Sequence, residues 1–328
     1  GWSLKKIQNE MNQNLKPLNF QLGLLRFDAS INIEPVIKKG ANVVGKIRSR
    51  NREYRDEYIV IGAHFDHIGL GGPGSGSRRP DSVQVHPGAD DNASGTAGLL
   101  ELAQKLSSNK NRLKRSFLLV GFDAEEKGLL GSKHFVENPP VDIKDIVSMI
   151  NMDMIGRMSD SSFTVGGVGT SPSFESLLNR LKTNRPFELI IDKPGFGPSD
   201  HASFYVKDIP VLFFFSGIHN DYHTPLDTWQ RINPRGEKYI LDFIYDVVFD
   251  LSRSSMRPIF QEAGPKNNEM GSPRRFSVTL GIVPSYTSAE KGLEIDGISK
   301  SDGPAANAGM KRGDVIKSIN NKPIGNIY

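Results

Sequence analysis

The sequence YIVIGAHFDH, residues 58–67, carries the strongest signal for the fold of this chain. It opens with an unbroken apolar run, which is typical of a strand buried on both faces of a sheet. Alternation along the strand puts His64 and Asp66 on one face, and His67 points the other way. A carboxylate beside an imidazole can orient it as a metal ligand, although a histidine at a strand end is more often structural. The end of this strand is therefore a candidate site.

Five other short apolar runs predict strands of the same sheet. They cover residues 42–47, 116–123, 146–152, 187–191 and 211–215. Their continuous hydrophobicity predicts burial on both faces. Between them, apolar residues at helical spacing predict helices over about 94–107, around 174–181 and over 239–251. The alternation of strands and helices predicts an α/β layer fold for residues 1–258.

The composition narrows the classes of function. The 328 residues include 41 basic and 37 acidic side chains without a long basic run, so nucleic acid is a weak candidate partner. There is no cysteine, and any metal must be held by histidine, aspartate and glutamate. The longest strongly apolar stretch, residues 210–218, is too short for a transmembrane segment, and no signal-peptide pattern opens the chain.

Polar side chains recur where the later elements begin or end. They lie in GADDNASG at 88–95, in DAEEKG with Glu125 and Glu126, in NMDMIG with Asp153, and in DYHTPLDT with His223. Each motif alone has an ordinary explanation, such as a helix cap for Asp90 or a solvated turn for the glutamates. An acid inside an apolar run, as at Asp153, needs a charged partner, which a metal ion would supply. Together the motifs predict a site at one edge of the sheet.

Five motifs in order carry a resemblance to a known family. They are H-x-D, G-A-D-D-N-A-S-G, E-E-x-G-L-x-G-S, M-D-M and Y-H-T-P-x-D-T. Over about residues 40–250 the chain resembles the co-catalytic zinc aminopeptidases, a family that includes bacterial leucyl aminopeptidases, glutamate carboxypeptidase and transferrin-receptor relatives. The resemblance implies a central, mixed, mostly parallel β-sheet with helices on both faces. It also implies a dinuclear zinc exopeptidase that removes N-terminal residues from peptides.

The resemblance implies a role for each matching residue, with two zinc ions per chain. Asp91 would bridge both ions, His64 and Asp153 would complete the shell of one, and Glu126 and His223 would complete the other. Glu125 would be the general base acting on a metal-bridged water, and Asp66 would support His64 from behind.

Tyr222 is the candidate for stabilising the oxyanion. Some relatives place a tyrosine just before the Ser-Asp-His stretch, found here at 199–201, whereas this chain has Phe196, which lacks a donor. Tyr222 is the predicted replacement, with a packing aromatic as the alternative. The remaining polar residues receive no firm role. They are His86, His134 and His219, interpreted as surface or loop histidines, and Arg78 and Arg79, interpreted as solvated or as contacts for a substrate carboxylate.

The C-terminal segment resembles the PDZ domains of bacterial proteases. Its signals are TLGI at 279–282, GPAANAG at 303–309 and RGDVI at 312–316, and residues 315–319 alternate as a strand does. We expect a linker at 259–274 and a partial PDZ-like domain at 275–328 that, if completed, binds a peptide or protein C-terminus. The alternatives are a long surface loop and a small β-subdomain without a ligand. Because relatives with PDZ domains are usually exported, we expect an extracytoplasmic location, periplasmic or secreted.

Three other functions compete with the aminopeptidase. An inactive, peptide-binding scaffold would keep the fold, but all five ligand positions and Glu125 are present. A single-zinc acyltransferase of the glutaminyl cyclase type would share the fold and much of the site. A carboxypeptidase would need a basic pocket for the terminal carboxylate of its substrate, which the linear sequence does not reveal.

Overall fold

The computed structural model describes residues 3–14, 16, 18, 32–34, 37–266, 280–284, 292–298, 303–311 and 313–324. The chain divides into two compact units, Gly1–Lys39 and Gly40–Tyr328. The described residues of the first unit include helix α1, Leu4–Asn14. Across the described residues, no helix combines the length and the apolar character needed to cross a bilayer.

The second unit alternates strands and helices as predicted. Its elements up to residue 253 are β1 (Val43–Ile47), β2 (Tyr58–His64), α2 (Gly95–Ser108), β3 (Ser116–Phe122), α3 (Leu130–Glu137), β4 (Ile146–Met152), β5 (Ser162–Gly166), α4 (Phe174–Lys182), β6 (Glu188–Ile191), α5 (His201–Tyr205), β7 (Val211–Phe215) and α6 (Pro234–Arg253). Helix α6 begins five residues before the predicted 239, because Asn233 caps it by accepting a hydrogen bond from the Gly236 N–H at 3.0 Å.

The first seven strands form one sheet in the order β1-β3-β2-β4-β7-β5-β6. Strands β3, β2, β4 and β7 run parallel to one another, as do β5 and β6. Strand β1 is antiparallel to β3, and β5 is antiparallel to β7. The prediction of a mixed, mostly parallel sheet is confirmed. Its four central parallel strands bring their carboxyl ends to the same edge.

Helices cover both faces of this sheet, as expected. Along β2, Ile59 and Ile61 belong to a buried cluster that includes residues of α2, α4 and α6, whereas Val60 belongs to a second cluster with residues of α3 and α5. This alternation requires apolar side chains at every position of a central strand. Each fully buried Ile or Leu contributes about 1.5–3 kcal/mol, so the two clusters hold the strand ends firmly in place.

The edges of the sheet differ from the prediction. Strand β1 was predicted to be buried on both faces, but Val43 is 66% exposed and Val44 is 43% exposed, because β1 has a sheet neighbour on one side only. Strand β6 is also partly exposed for the same reason. Strand β5 is not among the predicted strands, since Phe163 and Val165 are its only large apolar residues.

The C-terminal region contains five short strands and one helix among its described residues. They are β8 (Ile282–Pro284), β9 (Leu293–Ile298), α7 (Pro304–Asn307), β10 (Val315–Ile316), β11 (Ser318–Ile319) and β12 (Lys322–Pro323). The single strand predicted over 315–319 is divided: β10 pairs with β9, and β11 pairs with β12. A hairpin turn at Asn320 and Asn321, both with positive φ, joins β11 to β12. Residues 267–279, which include half of the predicted linker, lie outside the described residues.

Candidate active site

The candidate site lies at the carboxyl ends of the four central parallel strands. Strand β2 ends at His64, β4 is followed at once by Asp153, and the turn after β3 carries Glu125 and Glu126. His223 lies in the segment after β7. The topology therefore collects side chains from distant parts of the sequence at one edge, as parallel α/β sheets do.

Asp91 occupies the middle of this cluster, with one oxygen toward each of two histidines. Its Oδ1 lies 3.4 Å from His64 Nε2, and its Oδ2 lies 3.1 Å from His223 Nε2. Asp91 is 3% exposed and stands in the irregular helical turn Ala89–Ser94, where its peptide bond to Asn92 is cis. One carboxylate thus faces two separate groups of donors.

The first group contains His64, Glu125 and Asp153, whose donor atoms all lie within 4.8 Å of one another. His64 is 1% exposed, and its Nε2 lies 3.4 Å from Asp153 Oδ1. The other ring nitrogen, Nδ1, lies 3.1 Å from the backbone carbonyl oxygen of Asp66 and 3.7 Å from the Asp66 carboxylate. The predicted partners His64, Asp66 and Asp153 are therefore brought together.

The second group contains Asp91, Glu126 and His67, again within 4.8 Å, and His223 adjoins it. His223 Nε2 lies 3.3 Å from Glu126 Oε1, and His67 Nδ1 lies 2.8 Å from the same oxygen. The expectation that His67 points away from the site is wrong. Strand β2 ends at His64, so the alternation of faces does not extend to residue 67.

The donor atoms of both groups fit a zinc ion. Ligands at zinc bond lengths in a tetrahedral shell lie about 3.3 Å apart. The nitrogen–oxygen distances around Asp91 are 3.1 to 3.4 Å. Four buried atoms of the second group have no hydrogen-bond partner in the described residues. They are Asp91 Oδ2, Glu126 Oε1 and both ring nitrogens of His67. Buried polar atoms without partners are costly, and a cation would satisfy them.

The two adjacent glutamates have opposite pKa shifts. Burial raises the pKa of Glu125 well above its usual value. His64 lowers this pKa, whereas the surrounding carboxylates raise it further. Burial would also raise the pKa of Glu126, but His223 and His67 outweigh it and lower that pKa to about 2. Carboxyl groups whose environments separate their pKa values suit different roles, one as an ionised ligand and one as a proton carrier.

The two predicted histidine ligands are both surrounded by carboxylates. Burial would lower the pKa of His223, but Asp91 and Glu126 raise it to about 10. Burial would also lower the pKa of His64, but Asp153 and Asp91 raise that pKa well above its usual value. The site therefore has a strong affinity for positive charge, whether as protons or as metal ions.

Asp66 contacts more of the site than the sequence suggested. Its carboxylate accepts hydrogen bonds from the backbone N–H groups of Glu125 at 2.9 Å and Glu126 at 3.2 Å. Asp66 thus supports His64 with its backbone and holds the glutamate turn with its side chain. The H-x-D motif predicts the contact of Asp66 with His64, but nothing in the sequence predicts its contact with the glutamate turn.

The glycine-rich loop between β2 and Asp91 holds His223 in place. His223 Nδ1 lies 3.2 Å from the Gly76 carbonyl, and the Arg78 N–H donates to the His223 carbonyl at 3.0 Å. The Arg78 guanidinium donates to the carbonyls of Asn220 and Tyr222, both at 3.4 Å. Arg78 is therefore half-buried and bonded to the backbone rather than solvated, and its contact with a substrate carboxylate stays a prediction. Arg79 is exposed, as expected.

Tyr222 stacks on His223, with ring centroids 3.9 Å apart. It also lines a small pocket of about 50 Å³ that contains His64, Asp91, Glu125, Asp153 and His223. The remaining wall of this pocket is apolar. It consists of Met154, Pro198, Phe213, Phe215 and Ile218. Tyr222 therefore stands where it can meet a bound substrate, and it also packs on a ring.

Several buried polar residues behind the site were missed from the sequence. His219 Nε2 lies 3.1 Å from Asp90 Oδ2, and Asp90 is completely buried. Asp227 accepts hydrogen bonds from the N–H groups of Asp90 at 2.9 Å and Asp91 at 3.1 Å. Asp227 was part of the quoted Y-H-T-P-x-D-T motif, so the signal was available. His219 lies in a loop, as interpreted, but it is not a surface residue, because its side chain is only 11% exposed.

Two other residues of the quoted motifs are buried. His86 is 4% exposed and lies 2.8 Å from Ser77 Oγ, so it is a structural residue of its loop rather than a surface one. In the Ser-Asp-His stretch, burial raises the pKa of Asp200 to about 7 and lowers the pKa of His201 to about 3. The His201 ring stacks on Phe213, with ring centroids 4.4 Å apart, so it packs against a residue that lines the pocket.

A parallel-sheet edge with two histidine–carboxylate groups around one aspartate is an arrangement suited to a hydrolase with two metal ions. The chain belongs to Peptidase family M28, whose profile matches residues 42–248. The resemblance to zinc aminopeptidases is thereby confirmed. The match ends before residue 275, so it lends no support to the PDZ resemblance, and that domain division stays a prediction.

Individual relatives agree with this family. The chain is 27% identical over 227 residues to Aminopeptidase YwaD of Bacillus subtilis, covering 66% of this chain and 46% of that protein. It is similar to the structure of BSAP, a zinc aminopeptidase from Bacillus subtilis, with 26% identity, a TM-score of 0.54 and coverage of 68% of this chain and 53% of the other. A glutaminyl cyclase from Porphyromonas gingivalis shares the fold, with 24% identity, a TM-score of 0.51 and coverage of 63% and 75%. The chain spans about half the length of such curated relatives as YwaD.

Proposed function

We propose that this chain is an aminopeptidase that binds two zinc ions and hydrolyses the N-terminal residue from peptides. The observation that carries the proposal is the position of Asp91, whose two oxygens lie 3.4 Å from His64 and 3.1 Å from His223. A carboxylate shared between two such groups is suited to bridge two cations. Family membership supports the same activity.

The proposed ligands are the five residues named from the sequence. They are His64 and Asp153 for one ion, Glu126 and His223 for the other, and Asp91 for both. When bound, the ions would polarise the substrate carbonyl and lower the pKa of water. The unpartnered buried oxygens of Asp91 and Glu126 support this assignment.

Glu125 is the proposed general base. Its carboxyl group lies with His64 and Asp153 but is not needed to complete either set of ligands. The hydrogen bond from its N–H to Asp66 at 2.9 Å fixes its turn. Burial raises its pKa toward the operating pH, which favours the transfer of a proton to the leaving amine.

The apolar pocket beside Glu125 is the proposed site for the side chain of the N-terminal residue. Phe213, Phe215 and Ile218 line it on the side away from the metal ligands. An apolar wall favours a hydrophobic residue, because one extra buried methylene contributes about 0.8 kcal/mol. Tyr222, at the rim of the same pocket, is the proposed donor to the developing oxyanion.

The test combines zinc content with hydrolysis of a panel of aminoacyl-nitroanilides. We expect two zinc ions per chain, chelator-sensitive release, and faster turnover of leucyl than of glutamyl substrates. Glu125→Gln should lower kcat by about 10²- to 10⁴-fold and keep both ions. Glu175→Gln is the control, because it removes an exposed carboxylate from α4.

The same panel separates the competing functions. One ion per chain, with conversion of N-terminal glutamine to pyroglutamate and no hydrolysis, would indicate a glutaminyl-cyclase-type acyltransferase. No metal and no turnover after addition of zinc would indicate a scaffold. Full activity in Glu125→Gln would remove Glu125 from the role of base.

A further inference from the structure

A second, larger cavity opens on the other side of the glutamate pair. It is a groove of about 670 Å³, and Glu125, Pro198 and Tyr222 line both this groove and the small pocket. The two cavities therefore meet at the proposed base. An enzyme that cuts after the first residue must hold that residue on one side of the base and the rest of the chain on the other.

The volumes decide which cavity takes which part of the substrate. The small pocket, of about 50 Å³, has room for one side chain at most. The groove is more than ten times larger, and several residues fit into it. The peptide that follows the scissile bond therefore lies in the groove.

Two helices form walls that lead away from the site. On one wall the lining residues are Leu129, Lys133, Val136 and Glu137, which recur at helical spacing along α3. Eight residues of helix span about 12 Å, the length of three to four extended peptide residues. On the other wall the lining residues continue from Pro198 through Ala202 and Ser203 to Val206 and Lys207, following α5.

Each wall carries one lysine, Lys133 in the middle of the α3 wall and Lys207 at the end of the α5 wall. Lys133 and Lys207 are both exposed. The Lys133 ammonium donates to the Gly128 carbonyl at 2.8 Å. In the described part of the chain, neither lysine is ion-paired with a carboxylate. Glu137 and the proposed base Glu125 also line the groove, so the two lysines share it with two carboxylates besides the proposed metal ligand Glu126.

We infer that this groove binds the part of the peptide after the scissile bond, and that Lys133 and Lys207 recognise a carboxylate on it. The inference rests on the proposed aminopeptidase function. Lys133 lies one helical turn, about 6 Å, beyond Leu129 along the α3 wall. The carboxylate can be the free C-terminus of a short peptide or an acidic side chain of a longer one.

The experiment compares kcat/KM within matched pairs of peptides, using the full zinc-loaded chain. One pair is Leu-Gly-Gly against its C-terminal amide, which tests the free C-terminus. The other is Leu-Gly-Asp-Gly-amide against Leu-Gly-Asn-Gly-amide, which tests the acidic side chain. We expect the carboxylate member of at least one pair to be favoured about threefold to tenfold at low salt, and less at high salt.

The lysines are tested by changing them together. Lys133→Met with Lys207→Met should bring the ratio in the favoured pair close to one, and Lys207→Glu should invert it. Lys144→Met is the matched control, since Lys144 lies just before β4, at the opposite edge of the sheet, and it should keep the wild-type ratio. Because each ratio is taken within one variant, a general loss of activity cancels.

The outcomes separate the two proposals. Hydrolysis of every peptide with ratios near one in the wild type would overturn the carboxylate subsite and leave the aminopeptidase standing. A wild-type preference that survives in the double variant would overturn the role of the lysines. No hydrolysis of any peptide would overturn the proposed function, and the subsite with it.

Discussion

The two halves of the candidate metal site are built in different ways. In the strand half, His64 and Asp153 lie directly at the ends of central strands, and Glu125 joins them from the turn after β3. His64 is 1% exposed. The loop half comprises Glu126, His67 and His223. His223 follows no strand directly, has a positive φ of 54° and a side chain that is 16% exposed. Asp91 belongs to both halves.

The difference concerns what holds each ligand. The strand half is held by a sheet whose neighbouring strands are buried on both faces, so few local motions change its geometry. The loop half depends on contacts between two irregular segments, chiefly those of Gly76 and Arg78 with the residues around His223. Loops open locally at lower free energy than core strands do. We therefore expect the ion of the loop half to bind more weakly and to leave first on chelation.

The largest effect is expected where the halves join. Asp91→Asn removes the charge shared by His64 and His223 and should lower metal content in both halves. Activity should fall at least about 10³-fold, since the charge stabilisation supplied by the ions is worth several kcal/mol. Metal content and kcat are measured together. Retention of two tightly bound ions would mean that Asp91 does not bridge them.

A smaller effect, on the binding of one metal ion only, is expected from a change in the glycine-rich loop. Arg78→Met removes the guanidinium that holds the carbonyls of Asn220 and Tyr222. Loss of such indirect support typically weakens metal binding about 10- to 100-fold, here for one ion only. Competition with a chelator, followed through the spectrum of bound cobalt, resolves the two ions. Arg79→Met, which removes the exposed neighbouring charge, is the control and should bind both ions as the wild type does.

The sequence predicts the burial of the central strands correctly, but it does not predict the exposure of the edge strands. An unbroken apolar run such as that of β4 has one explanation, burial between two helical layers, and its predicted bounds match the structure. The run in β1 looks similar, yet Val43 is 66% exposed. Which strand becomes an edge depends on the order of strands, and that order is a property of the tertiary structure rather than of any local pattern.

Prediction of the site residues from the sequence has the same limit. Residues that end a strand or stand in a distinctive motif, such as His64 and Asp153, could be placed from the sequence alone. His67 could not, because the rule of alternation stops where the strand does. The contacts of Arg78 and Asp227 also link segments that are more than 100 residues apart in sequence. Such contacts between loops leave no periodic signal.

His67 itself offers a finer test of the loop half. Its Nδ1 lies 2.8 Å from Glu126 Oε1, and neither ring nitrogen has a hydrogen-bond partner in the described residues. We expect His67→Asn to weaken binding of the loop-half ion by about tenfold and to leave the strand-half ion unchanged. His134→Asn, a change at an exposed histidine on α3, is the control. Equal affinities in both variants would make His67 a packing residue.

The smallest effect concerns the buried acids behind the strand half. Burial, with a contribution from Asp90, raises the pKa of Glu237 on α6 to about 7. The folded state therefore holds this proton more tightly than the unfolded state, and ionisation of Glu237 costs stability progressively as the pH rises from about 4.5 to 7. Glu237→Gln should remove that cost, and the gain should be about 1 kcal/mol, or 2–3 °C in Tm, at pH 8.

At pH 5 the gain of the same variant should be only a small part of that at pH 8, because the cost begins to rise only above the usual glutamate pKa of 4.5. Thermal unfolding of both proteins at the two pH values measures the difference, and any effect of bound metal cancels in each comparison. Glu175→Gln, at an exposed position in the first turn of α4, should show the same small change at both pH values. If the gain in Glu237→Gln is the same at both pH values, the gain comes from packing on α6. The buried acids behind the strand half would then impose no charge cost that is absent from the loop half.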